Sequence, residues 1–115
     1  MSEIELKQKL LAGRAYRIFV GQLPGQMEEV RSVVESENNV PEQALKAASI
    51  LHNIKGAAGV FGFTELGHIA AELEKLIKEQ GGDITKFTKE LDALFKSLER
   101  IVSSLPAPVS LEDNE

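Results

Sequence analysis

Apolar residues recur along this chain at steps of three and four, the spacing that aligns side chains on one face of an α-helix. Tyr16, Phe19, Val20, Leu23, Met27, Val30 and Val34 form the first long stripe. Pro24 falls inside it and lacks the backbone donor that a helix interior uses. The apolar register nevertheless runs across it, which predicts one kinked helix rather than two. Leu6 and Leu10 lie on a different phase and predict a short separate helix near residues 3–12. After the polar run Glu37-Asn38-Asn39-Val40, Pro41 suits a first helical position. Ala44, Ala47, Leu51, Ile54, Ala58 and Phe61 then make a second stripe. Gly62-Phe63 interrupts it, and Thr64 is placed to cap a helix whose buried face is Leu66, Ile69, Ala70, Leu73, Leu76 and Ile77. Gly81-Gly82 stops that pattern, and Asp83 is placed to cap a last helix carrying Phe87, Leu91, Leu94, Phe95, Leu98, Ile101, Val102 and Leu105.

Long helices joined by short connections predict an all-α fold, an antiparallel four-helix bundle with a short extra N-terminal helix. Pro106 and Pro108 set the expected end of the packed region. Residues 1–105 are thus read as the domain, and 106–115 as an acidic tail or linker.

At 115 residues the chain is long enough for one domain with a sizeable core. Its 43% hydrophobic and 27% charged residues are ordinary for a soluble globular protein. A net charge of −5, with no basic run, argues against a nucleic-acid partner. The absence of cysteine excludes disulfides, thiol catalysis and thiolate metal sites. Met1-Ser2-Glu3-Ile4-Glu5 is acidic and has no apolar core after it, unlike a signal peptide, and no apolar stretch approaches the roughly 20 residues of a membrane span. A cytoplasmic, monomeric domain with no membrane partner is the expectation.

The candidate chemistry is concentrated in His52-Asn53-Ile54-Lys55-Gly56-Ala57-Ala58-Gly59-Val60-Phe61-Gly62. With Leu51 near the centre of the buried stripe, a turn of about 100° per residue puts His52 on the flank of its helix. Ala48, Gly56 and Gly59 share its face, at steps of minus four, four and seven. Lys55 stands between that face and the core boundary, where its ammonium can reach outward. A glycine costs about 1 kcal/mol against alanine inside a helix, so two of them beside an imidazole point to a surface kept low for close approach by another protein. No acid or base partner for His52 is identifiable on its own face, which argues against an enzyme with a pocket of its own. His68 is the contrast: its neighbours on the helix are Glu65, Glu72 and Lys75, and it reads as a solvated surface histidine. His52 and His68 are too isolated from further histidines at helical spacing to suggest a metal site. No phosphate-binding Gly-x-x-x-x-Gly-Lys loop is present, so phosphorylation from ATP by the domain itself is not expected.

In these residues the chain resembles the histidine phosphotransfer (HPt) family. The family's signature is a helical histidine, a lysine three on, a glycine four on, small residues and a further glycine. His52, Lys55, Gly56, Ala57, Ala58 and Gly62 match it, and Leu73-Glu74 is similar to the family's following helix. Asn53 and Val60 depart from the serine or threonine and the polar residue common at those places. The resemblance, running from about Tyr16 to Leu105, implies a phosphocarrier in a two-component relay rather than an enzyme. His52 would accept a phosphoryl group from an aspartate of a response-regulator receiver domain and pass it to another receiver. Lys55 would support the phosphoryl charge, and Ala48, Gly56 and Gly59 would form the docking face. A hybrid histidine kinase is a further implied partner. The domain itself would bind no cofactor, with Mg²⁺ expected on the receiver. The alternative, from a different class, is a helical interaction module that docks through the same face without chemistry.

Overall fold

The computed structural model describes residues 2–36, 38, 40–79 and 87–108. Five helices follow in order: α1 (Glu3–Ala12), α2 (Arg14–Val34), α3 (Pro41–Phe61), α4 (Thr64–Glu79) and α5 (Thr88–Ser103). No strand occurs among the described residues. Helix α3 packs on α4, α4 on α5, α5 on α2 and α2 on α3, which closes a four-helix bundle, while α1 lies against α2 and α3. The expected all-α bundle with an extra N-terminal helix is therefore the fold.

Local signals account for most boundaries. Ser2 caps α1 by accepting from the Glu5 N–H at 3.2 Å, and Gly13 in extended geometry separates α1 from α2. Helix α2 is continuous through Pro24, as the unbroken apolar register predicts. Pro41 opens α3. Thr64 is the first residue of α4 rather than the capping residue before it. The turn into α4 explains the shift. Gly62 adopts φ 75°, its N–H donates to Gly59 O at 3.3 Å, and the Phe63 N–H donates to Ala58 O at 2.8 Å. This is a Schellman ending, which satisfies two of the last carbonyls of α3 and leads into α4 within two residues. The expected stop at Gly81-Gly82 and cap at Asp83 lie outside the described residues.

The core is built from the predicted stripes. Tyr16, Leu51, Ile54, Leu66, Leu73, Ile77, Leu91, Phe95 and Leu98 are fully or almost fully buried. Val20, Ile69, Leu76, Phe87, Leu94, Ile101, Val102 and Leu105 sit half-buried at its edge, because the stripes are wider than the closed interior. At the end of α3, Phe61 meets Tyr16 edge-on at 5.0 Å and stacks on Phe19 at 5.4 Å. That cluster anchors the α3–α4 turn against α2. Arg31 pairs with Glu99 and lies 5.7 Å over the Phe95 ring, joining α2 to α5.

The buried Tyr16 hydroxyl donates to the Pro106 carbonyl at 2.5 Å, so the chain stays packed past α5. A buried hydroxyl needs an acceptor, and the turn after α5 supplies one. Burial also pushes the Tyr16 phenol above its ordinary range.

Gly62→Ala is expected to destabilise the domain by about 1–2 kcal/mol, because a side chain at positive φ is strained even where space is open. Urea unfolding of the two proteins measures it; equal midpoints would mean that the turn relaxes without cost.

Candidate functional site

The site is assembled on the outer surface of α3 where α4 packs against it. Leu51 and Ile54 point into the core and fix the rotation of α3, leaving His52 on its flank with 61% of its side chain exposed. The ring is nevertheless held. Its Nδ1 lies 3.0 Å from Glu74 Oε2, and a carboxylate can only accept, so Nδ1 is the donor. In the neutral ring this places the proton on Nδ1 and the free lone pair on Nε2. Among the described residues no hydrogen bond occupies Nε2.

His52 has an acid–base partner in Glu74, where none was identifiable on its own face. The partner comes from α4, not from the face of α3 that carries the histidine. Ala70, Glu74 and Ile77 are spaced four and three apart, so this glutamate occupies a core register position, and its side chain is only 8% exposed. The register Ala70–Glu74–Ile77 was the legible signal. A charge inside a buried stripe is costly unless something pairs with it.

Two donors and a further ammonium converge on that carboxylate. Lys78, one turn further along α4, donates to Oε2 at 2.7 Å, His52 lies against the same oxygen, and the Lys55 ammonium stands 4.0 Å from Oε1. Burial pushes the Glu74 carboxyl up, but the Lys78 bond and charge, together with His52, outweigh it and hold the group below the usual carboxylate range. Glu74 is therefore an anion near neutral pH. Gly67 on α4 faces the α3 backbone, with the position of a Cβ 3.9 Å from Lys55 O and 3.7 Å from Ala58 Cβ, which lets the helices approach closely at this level.

The other sequence-predicted positions divide. Gly56 and Gly59 are exposed, and a Cβ at either would meet nothing within 4 Å, so the backbone beyond His52 is open as expected. Ala48 is not part of that surface: its exposure is 0%. A step of four residues rotates a helix by about 40°, and going back from His52 that rotation carries Ala48 toward the Leu51 stripe, under the packing. Gly62 belongs to the α3–α4 turn. His68 is exposed on α4 and has no carboxylate bond among the described residues.

Two shallow grooves flank His52. One, of ≈ 300 Å³ between α3 and α4, is lined by Lys55, Gly59, Phe63, Gly67 and His68. The other, of ≈ 290 Å³ between α2 and α3, includes Ile18, Gln22, Asn53, Ala57 and Val60, of which Ile18 and Val60 are large exposed apolar side chains. A larger cavity, ≈ 550 Å³ between α2 and α5, has no member of the His52 cluster in its wall. Among the described residues no three His, Cys, Asp or Glu side chains are grouped to hold a metal ion, and no helix is long and apolar enough to cross a membrane.

The arrangement offers an outward nucleophilic nitrogen, a fixed proton on the opposite nitrogen, an anion behind the ring and ammonium groups beside it. Among the described residues nothing encloses the imidazole, which stands at the surface. Compared with known proteins, residues 14–104 match the family model described as the Hpt domain. No curated protein and no solved structure matches the chain.

Proposed function

The chain belongs to the Hpt domain family, and from that premise we propose that His52 is its phosphoacceptor, taking a phosphoryl group from the aspartate of one receiver domain and handing it to another. Histidine phosphotransfer in phosphorelays is what domains of this family do, as phosphocarriers that interact with receiver and kinase domains. The observation that carries the assignment to His52 is the exposed imidazole with its Nδ1 held by the buried Glu74 carboxylate.

The chemistry follows from the tautomer. The Nε2 lone pair attacks the phosphorus of the aspartyl phosphate, the N–P bond forms, and the P–O bond breaks with its electron pair leaving on the aspartate carboxylate. The ring, still protonated on Nδ1, gains positive charge as its lone pair is spent. Glu74, already an anion 3.0 Å away, stabilises that charge without moving. The reverse sequence delivers the group to the next receiver. Phosphoryl transfer needs mainly positioning and charge neutralisation, so an exposed histidine suffices when the receiver brings Mg²⁺ and the remaining catalytic groups. Lys55, about half exposed, is within reach of the site to support the phosphoryl oxygens. Gly56 and Gly59 keep the approach low, and Ile18 and Val60 supply apolar contact at its edge. In this reading the domain acts in the cytoplasm as a monomeric carrier, with a hybrid histidine kinase as a further partner.

A docking module without chemistry accounts for the open glycines but not for Glu74. Even paired with Lys78, a carboxylate in a core register stabilises the bundle less than a well-packed apolar residue would, and a docking surface gives it no task. Transfer of labelled phosphate from phosphorylated receivers to the purified chain tests the proposal; a chain that binds receivers and never becomes labelled is a docking module.

Lys55→Ala is expected to slow that transfer several-fold, and Lys55→Glu to slow it further by placing like charge beside the incoming group. Both should fold as the parent does, because a half-exposed ion pair at 4.0 Å adds little stability. Equal rates for all three proteins at fixed salt would remove Lys55 from the mechanism.

A further inference from the structure

Glu74 Oε2 is shared: it accepts from His52 Nδ1 at 3.0 Å and from Lys78 Nζ at 2.7 Å. We infer that Lys78 is a positioning residue for phosphotransfer, which divides the Glu74 charge with His52 and so limits the pull of that carboxylate on a second ring proton. The inference rests on His52 being the phosphoacceptor and extends that reading to a residue that does not touch the ring.

The geometry gives Lys78 this role rather than a general surface one. Glu74 and Lys78 are four residues apart on α4, the spacing at which a glutamate and a following lysine meet. The carboxylate is almost fully covered, so water has little room to replace a lost donor. Lys55 from α3 approaches the other oxygen at 4.0 Å, beyond hydrogen-bond distance, which leaves Lys78 as the closest cation among the described residues. Helix α5 also packs on α4, but among the described residues it contributes no ion pair to Glu74. Among the described residues the charged groups facing the imidazole through this carboxylate are thus Lys78 and Lys55, together with Glu74 itself.

An anion beside an imidazole favours the protonated ring, and a protonated ring has no lone pair on Nε2 to attack phosphorus. A cation bonded to the same anion offsets that pull. Without Lys78 the full charge of Glu74 acts on His52, and the ring stays protonated to higher pH. The acidic limb of the transfer rate should move upward by about half a pH unit, a size set by charges several ångströms apart at a partly solvated site. The alkaline plateau should remain, because Glu74 still accepts from Nδ1 there. Lys78 is about half exposed, so its removal should leave the bundle folded.

The test is a profile of rate against pH for phosphorylation of the full chain by phosphoramidate at fixed ionic strength. This small donor needs no docking surface, and its own pH dependence cancels in the ratio of variant to parent. For Lys78→Met the ratio should fall to about one third on the acidic limb and return to one or above at alkaline pH, a tenfold change corresponding to one pH unit. Lys78→Arg, which keeps the charge and the donors, should stay at one throughout. A ratio for Lys78→Met that is flat across pH, or an arginine variant as shifted as the methionine one, would overturn the inference. His52→Gln run beside them separates the two levels. If it accepts no phosphate while the Lys78→Met ratio is flat, the inference alone falls; if it is phosphorylated, the phosphoacceptor reading falls and takes the inference with it.

Discussion

His52→Gln is expected to fold like the parent and to accept no phosphoryl group, a loss of the whole signal rather than a fractional change. Glutamine suits the test because its amide can still donate toward Glu74, so the buried carboxylate keeps a partner. What disappears is the ring nitrogen with a free lone pair. His68→Gln should transfer at the parent rate, since His68 is exposed on α4 and lacks the carboxylate that fixes a tautomer among the described residues. Both variants would be incubated with a phosphorylated receiver and scored for protein-bound phosphate. Label retained on His52→Gln, or lost from His68→Gln, contradicts the assignment.

Gly56→Leu is expected to make the domain more stable and to slow receiver-dependent transfer by tenfold or more. The position lies one turn beyond His52, and a Cβ there meets nothing within 4 Å, so the side chain enters open space. Replacing glycine in the interior of α3 removes most of a penalty of about 1 kcal/mol, which for a domain of this size corresponds to a melting temperature higher by about 3–5 °C. The same side chain stands where a receiver would bring its aspartyl phosphate to Nε2. Phosphorylation by phosphoramidate should be nearly unaffected, because that donor is small. A variant that melts higher and still transfers from the receiver at the parent rate would show that Gly56 is not at the interface.

The bundle was legible because its signals are local and agree with one another. Each stripe from Tyr16 to Val34, Ala44 to Phe61 and Leu66 to Ile77 repeats with the helical period, and Gly13, Pro41 and Gly62 punctuate them where the helices break. The stripes overstated the interior at Val20, Leu76 and Val102, since periodicity gives a face but not the width that neighbouring helices cover. The Pro106 carbonyl that receives the Tyr16 hydroxyl leaves no mark in a hydrophobic pattern.

At the site, the flank position of His52 and the open glycines follow from rotation about a single helix, and a wheel gives that directly. Contacts between helices do not. Ala48 shares the nominal face of His52 but is turned toward the stripe and covered. Glu74 acts from α4 across the helix pair, and Lys78 acts through Glu74, so neither is visible from α3 alone. Beyond the likeness of Leu73-Glu74 to the family's following helix, the sequence signal for Glu74 was its charge at a core register position between Ala70 and Ile77.

The nitrogen that carries the phosphoryl group tests the central claim most directly. The chain would be labelled with ¹⁵N in its histidine rings, phosphorylated, and the phosphorus–nitrogen coupling recorded by NMR. With Nδ1 held by Glu74, the coupling should appear at Nε2 of His52 and at no other ring nitrogen. Coupling at Nδ1 of His52, or at either nitrogen of His68, would contradict the account.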